Sequence, residues 1–365
     1  MEKVSDRDRN PVIELSRLIA MLFIVIGHML GHGGVTQLMQ SDAGNRFALN
    51  LLSTLSTPAT NVFILISAYF LCTSRFRLQR IVSLWIQVFF YNLAAHLAAF
   101  ALGNGSMSLG VLVNILFPIS TNQYWFIRVF MGLLIFSPFL NLLIQSMCEK
   151  QHRLCVITLV AVFSGWRNLL PFATTLNAEG GNSIMWFVTL YMIAAYIRNY
   201  VDVGGKTKRY AFLSAAAYVV IVVGTYGIKL VSQFLGFHGK GSSLFVEFAS
   251  ITMLAFSVSL FLMLLSIRKT FVSDVTKRIN YVAASTLSVY FIHEHPLLRS
   301  LIWNNGLIGW VTGSEQFVVV RVFLAAVLVL TVCLAIDKLT FDRFKGVISK
   351  IPLHSLQNKL DGILN

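Results

Sequence analysis

Charge is what this 365-residue chain has least of. Asp, Glu, Lys and Arg together make up 12% of it against 56% hydrophobic residues, and the mean hydropathy of +0.73 lies far outside the soluble range. That excludes a soluble globular protein and leaves an integral membrane protein. Acidic residues are scarcer than basic ones, 15 against 29, for a net charge of +14. Cysteine is rare as well: Cys72, Cys148, Cys155 and Cys333 all fall at or near helix ends expected to face the cytoplasm, where thiols stay reduced, so no disulfide is expected. No long linker, low-complexity tract or internal repeat is visible. Residues 1–345 therefore read as one transmembrane domain and 346–365 as a short cytoplasmic tail.

Motif fragments of other classes also fail. GGKT at 204–207 lacks the first glycine of a phosphate loop, since Tyr200 stands there and no strand precedes it. GFHGKGSS at 236–243 reads as an outer loop, Asn104-Gly105-Ser106 is a formal sequon on another, and no Cys/His spacing suggests a metal.

What is there is a series of apolar segments. A bilayer core of about 30 Å takes about 20 helical residues. Ten spans fit, near 12–31, 55–72, 82–102, 124–146, 154–170, 184–199, 211–231, 246–267, 283–302 and 317–337. The fold class expected is all-α, a polytopic bundle of about ten transmembrane helices, with Pro58 and Pro296 accommodated by neighbouring helices. The first span is too long for a removable signal, contains Arg17 and lacks a small-residue cleavage site, so it is expected to stay in the membrane.

Loop charge supplies the orientation. With the N-terminus inside, Lys3, Arg7 and Arg9, then Arg75, Arg77 and Arg80, Lys150 and Arg153, Arg198 to Arg209, Arg268 to Arg278 and the C-terminal lysines all fall on one side. The other side holds Arg46, Arg167 and Lys240. Both termini are thus expected in the cytoplasm, and the positive charge faces anionic lipid without any nucleic-acid partner.

Ionisable residues inside spans are costly in lipid and point to partners or to function. Lys229, Glu247, Arg321 and Asp337 lie near helix ends and are expected to snorkel to the interface, while His96 reads as a hydrogen-bonded core histidine. Arg17 and His28 are harder to dismiss. Eleven residues advance a helix by about 16 Å and three turns, so both lie on one face at two depths, with Glu14 able to pair with Arg17. In the ninth span His293, Glu294, His295 and Arg299 gather around Pro296. Helical spacing puts His295 and Arg299 on one face and turns Glu294 elsewhere, towards Arg128 on the fourth span; Trp125 beside it reads as an interface anchor or a sugar-stacking ring.

Four segments in order carry a resemblance. Glu14, Arg17 and His28 in the first span, FILISAYFL at 63–71, YWFIRVF at 124–130 and SVYFIHEHPLLR at 288–299 resemble the acyltransferase-3 family of bacterial membrane acyltransferases. The chain departs from the family pattern at Ala68 and Ala194-Ala195, where glycines are usual. The resemblance implies transfer of an acyl group, usually acetyl, from cytoplasmic acetyl-CoA or another acyl-CoA to a hydroxyl of a cell-surface or lipid-linked glycan. It also implies residence in a bacterial plasma membrane and no permanently bound cofactor or metal. His28 is then the expected general base, Arg17 and Glu14 the donor-side pair, and His293, Glu294, His295, Arg299, Arg128, Trp125, Ser67 and Tyr69 the expected substrate-binding residues. Donors other than acetyl and the oligomeric state stay open. The alternative is a multi-pass transporter or flippase of a small molecule or lipid-linked sugar, which should show inverted halves with glycine-interrupted spans, and none is visible.

The orientation is testable directly. Cysteine introduced as Gly105→Cys or Ser314→Cys should react with a membrane-impermeant maleimide in intact cells, and Gly205→Cys should not; labelling of the last from outside reverses the topology.

Overall fold

A computed structural model describes residues 10–39, 42–103, 108–121, 123–169, 179–236, 242–303, 306–348 and 350–364. Lys3, Arg7, Arg9, Lys240 and the sequon at 104–106 lie outside them, as does the side chain of Arg167. All regular structure among the described residues is helical. Six helices are long and apolar enough to cross a membrane: Pro11–Gly31, Ala43–Leu71, Leu78–Ala101, Trp125–Ser146, Thr207–Phe234 and Val318–Leu339. This is the architecture of a multi-pass membrane protein. The other four expected spans fall on shorter or interrupted helices.

In chain order the helices that matter here are α1 (Pro11–Gly31), α2 (Ala43–Ser56), α3 (Pro58–Leu71), α4 (Leu78–Ala101), α5 (Trp125–Ser146), α6 (Glu149–Val160), α7 (Ile184–Tyr200), α8 (Thr207–Phe234), α9 (Ile251–Ser266), α10 (Thr286–His293), α11 (Pro296–Trp303), α12 (Val318–Leu339) and α13 (Phe341–Ile348). Both prolines flagged in the sequence open a helix. Pro58 takes the first position of α3, directly after α2 in the helical stretch Ala43–Leu71, and Pro296 separates α10 from α11. After α6 the chain passes through a π-helical turn, Ala161–Gly165, before Trp166–Leu169.

The chain divides into two compact units. The first comprises residues 1–27, 47–74 and 139–280, the second residues 28–46, 75–138 and 281–365. In the first, α3 packs on α7 and α9, and α8 on α9. Asn61 is its polar rivet: fully buried on α3, it donates to the Phe248 carbonyl at 2.9 Å and to Ser257 Oγ at 3.2 Å, and it accepts from Trp186 Nε1 at 3.0 Å. Every valence of the amide that reaches these neighbours is used, which is what makes a buried amide tolerable. Tyr191 donates to Asn141 Oδ1 at 2.7 Å, and Asn141 donates to the Leu71 carbonyl at the end of α3. Ala68, Ala194 and Ala195 are all fully buried, so methyl groups fit where the family pattern favours glycine.

In the second unit α4 packs on α10 and α11, and α10 on α12. Asp337 departs from expectation: instead of snorkelling to the interface it is fully buried. Tyr91 on α4 and Ser288 on α10 both donate to its Oδ1, and Lys345 Nζ on α13 lies 3.8 Å from Oδ2. Closeness to a helix end in sequence did not reveal these partners, because they come from three other helices. Arg321 and His96 match expectation better. Arg321 donates to the Trp310 and Ser314 carbonyls, and half-buried His96 donates to the Asn92 carbonyl at 2.9 Å.

Removing the Asp337 carboxylate leaves the Tyr91 and Ser288 hydroxyls without this acceptor, while Lys345 keeps Asp342 Oδ1 at 2.7 Å. Asp337→Ala should therefore cost about 2 to 6 kcal/mol, about 1 to 3 for each hydroxyl left unsatisfied, whereas Asp337→Asn keeps an oxygen for Tyr91 and Ser288 and should cost less. Thermal midpoints of the purified protein in one detergent check the order, and equal losses would shift the weight from the hydroxyls to the Lys345 pair.

Candidate functional site

The second unit brings four ionisable side chains together around one carboxylate. The local sequence explains why. His-Glu-His precedes Pro296, and a residue before proline is pushed out of helical conformation, so α10 ends at His293 and Glu294 and His295 sit in the bend before α11. Helical spacing does not apply across that break. Glu294 consequently does not turn towards Arg128, as the spacing predicts, but towards Arg299, whose Nη1 donates to Oε1 at 3.1 Å. Arg128 itself is exposed on α5.

Glu294 is buried, and its other partners come from the last turn of α1 and just beyond. His28 Nδ1 lies 3.0 Å from Oε2, and His32 Nδ1 lies 3.2 Å from Oε1. His32 was not among the residues singled out from the sequence. It stands four residues after His28, one residue beyond the end of α1, and its ring stacks on that of His28 with centroids 5.3 Å apart. The i, i+4 spacing was the available signal, hidden because the expected span stopped at residue 31.

Hydrogen-bond logic assigns the tautomers. His293 Nδ1 lies 2.6 Å from the Val289 carbonyl, which can only accept, so Nδ1 carries the proton and Nε2 presents a lone pair. That lone pair lies 2.9 Å from His28 Nδ1, so His28 Nδ1 carries a proton too, shared between His293 and Glu294. The free lone pair of His28 is then on Nε2. The side chain is 20% exposed, and with no hydrogen-bond partner for Nε2 among the described residues that atom is the unspent nitrogen of the cluster. The arrangement follows the logic of a carboxylate–histidine pair: the acid fixes the tautomer, and it stabilises the imidazolium once a proton arrives.

Tyr290 packs against both His28 and His293, and Trp303 against His293, which restricts how the rings can turn. His295 has a different fate. Its Nε2 donates to Asn92 Oδ1 at 2.9 Å, its Nδ1 accepts from the Leu297 N–H at 3.2 Å, and Asn92 donates onward to the Asn114 carbonyl. Both ring nitrogens are spent, so His295 anchors the bend instead of sharing a face with Arg299. Trp125 lies edge-on to Phe126 at the start of α5. The remaining expected residues belong to the first unit. Arg17 Nη1 lies 3.8 Å from Glu14, as the spacing predicts; Ser67 donates to the Phe63 carbonyl at 2.9 Å, and Arg198 sits 4.6 Å over the Tyr69 ring.

His28, His293 and Glu294 also form the one constellation among the described residues with metal-ligand chemistry, their ligand atoms lying within 4.8 Å of one another. The hydrogen bonds just described use those same atoms. A cation there would displace the proton that orients His28.

The family described as an acyltransferase domain matches residues 10–338, nearly the whole chain and all of the residues above. The chain belongs to the acyltransferase-3 family. No curated protein and no solved structure matches it.

The tautomer assignment can be measured. In protein labelled with 15N-histidine and reconstituted in lipid, His28 and His293 should both show a protonated Nδ1 and an unprotonated Nε2, with each signal assigned by its loss in the corresponding His→Gln variant. A protonated Nε2 on neutral His28 would remove the basic site.

Proposed function

We propose that this member of the family transfers an acyl group, acetyl first among candidates, from cytoplasmic acyl-CoA to a hydroxyl of a cell-surface or lipid-linked glycan in a bacterial plasma membrane. The observation that supports this most is the run of hydrogen bonds from the Val289 carbonyl through His293 to His28, with Glu294 beside it, which leaves His28 Nε2 free.

A sugar hydroxyl is a weak nucleophile, and in this reading Nε2 takes its proton as the oxygen attacks the thioester carbonyl. The carbon–oxygen bond forms, the carbon–sulfur bond breaks, and the departing CoA thiolate recovers the proton from the imidazolium. Glu294 steadies that imidazolium through Nδ1 while the charge lasts, and Arg299 and His32 hold the carboxylate in place. Without them a carboxylate in this setting would be an uncompensated charge. Arg17 stands eleven residues before His28 on α1, about 16 Å of helical rise. At that depth it serves the donor, gripping phosphate or pantetheine oxygens with a guanidinium that Glu14 orients.

His28 carries the test. Surface glycans of cells complemented with His28→Ala or His28→Gln should show acylation reduced by roughly 10²- to 10⁴-fold by mass spectrometry, with the protein still inserted in the membrane. Glutamine still hydrogen-bonds but takes no proton. Near-normal acylation by the Gln variant would make His28 a positioning residue and end this reading.

A further inference from the structure

The first unit holds a cavity of about 300 Å³ that the mechanism above does not use. One wall is α2 and its junction with α3, through Asn50, Ser53, Thr54 and Thr57; the facing wall is α8, through Val222, Thr225, Tyr226 and Lys229. Each set runs i, i+3, i+4, i+7, so each is a single face of its helix. Seven of these eight residues are polar, on helices otherwise apolar enough to lie in a membrane. Polar faces of that kind are placed towards protein or towards a polar space, not towards lipid.

The hydroxyls show which. Thr54 and Thr57 donate to carbonyls of their own helix, Asn50 at 2.9 Å and Ser53 at 3.0 Å, and each keeps an oxygen lone pair. Across the cavity Thr225 Oγ1 and the Tyr226 hydroxyl are shielded from solvent and have no hydrogen-bond partner among the described residues. A buried hydroxyl without a partner is unfavourable, so two side by side in a polar cavity mark a place where a ligand supplies the bonds. Contacts beside the cavity join its two walls. Tyr218, two turns before Tyr226, donates to the Leu51 carbonyl at 2.9 Å, and Phe47 packs against the Tyr226 ring at 5.3 Å. Gly224 lets the Phe245 ring lie where a Cβ would come within 2.5 Å of it, and the next residue, Val246, lines the cavity.

Among the described residues Lys229 is the one cation of the lining, and no carboxylate lines the cavity. We propose that this cavity binds an anionic sugar, one or two rings whose hydroxyls meet Thr225, Tyr226, Asn50 and the threonines of α2 while a carboxylate or phosphate meets Lys229. The volume, at the small end of ligand sites of about 300 to 1,000 Å³, suits a ligand of that size. Taking the sugar as part of the acceptor glycan rests on the acyl-transfer reading; the binding itself does not.

The full-length protein in lipid nanodiscs, titrated with methyl glucuronide, glucose 1-phosphate and methyl glucoside under saturation-transfer NMR, tests it. Wild type should bind at least one of the two anionic sugars about tenfold or more tightly than the neutral one, as one hydrogen bond to a charged group implies. Which anion binds tells carboxylate from phosphate. Lys229→Gln should abolish that preference and Lys229→Arg retain it, while the near-isosteric Thr225→Val with Tyr226→Phe should weaken every sugar that binds. No anionic preference in wild type, or affinities indifferent to these substitutions, overturns the proposal. Cavity-dependent binding by a protein that acylates nothing would overturn the transfer reading alone; His28-dependent acylation with cavity-independent sugar affinity would overturn the cavity alone.

Discussion

A carboxylate in a membrane domain is stable only in company, and the site described here is organised by that constraint. Glu294 is buried, and its two oxygens face His28, His32 and Arg299, so the charge is spread over three neighbours. The company depends on Pro296. Were the ninth span a continuous helix, Glu294 would point away from Arg299; the break lets the chain turn the carboxylate inward, while His295 secures the bend through Asn92. A helix-breaking residue, an acid and a histidine amide lock thus act as one device.

Much of this was legible in the sequence because membrane chemistry is strict. Arg17 and His28 stand out since, with Glu14, they are the ionisable residues of an otherwise apolar span, and the helix Pro11–Gly31 places Glu14 against Arg17 as an i, i+3 pair. Each expected span lands on helix, although six helices have the length and apolarity to cross. Less was legible where the answer depended on partners distant in sequence. Asp337 looks like an interface residue until Tyr91 and Ser288, from α4 and α10, are seen to donate to it. The direction of Glu294 was missed because spacing rules assume a helix that proline interrupts. The polar face at 50–57 went unnoticed because α2 begins at Ala43, twelve residues before the expected start of the second span.

The polar groups of this protein fall into two kinds, and the distinction is one of exhausted valence. Asn61 and His295 spend their hydrogen-bonding capacity on neighbours that also hold the helices together. Replacing them would damage the fold, and nothing about them is available to a substrate. His28 is different because its neighbours consume only one nitrogen. The Val289 carbonyl dictates His293, His293 and Glu294 dictate His28 Nδ1, and Nε2 is what remains.

The same reasoning separates a functional polar group in a membrane from a costly accident. Desolvation penalises every polar atom that leaves water, so a fold can keep one only by pairing it or by reserving it for a ligand that pairs it later. Paired atoms are explained by the structure alone. Unpaired ones, such as the Thr225 and Tyr226 hydroxyls, which have no hydrogen-bond partner among the described residues, are not explained by folding, since folding would be served as well by Val and Phe at those positions. Their retention in a chain with so few polar residues to spare is therefore an argument about binding.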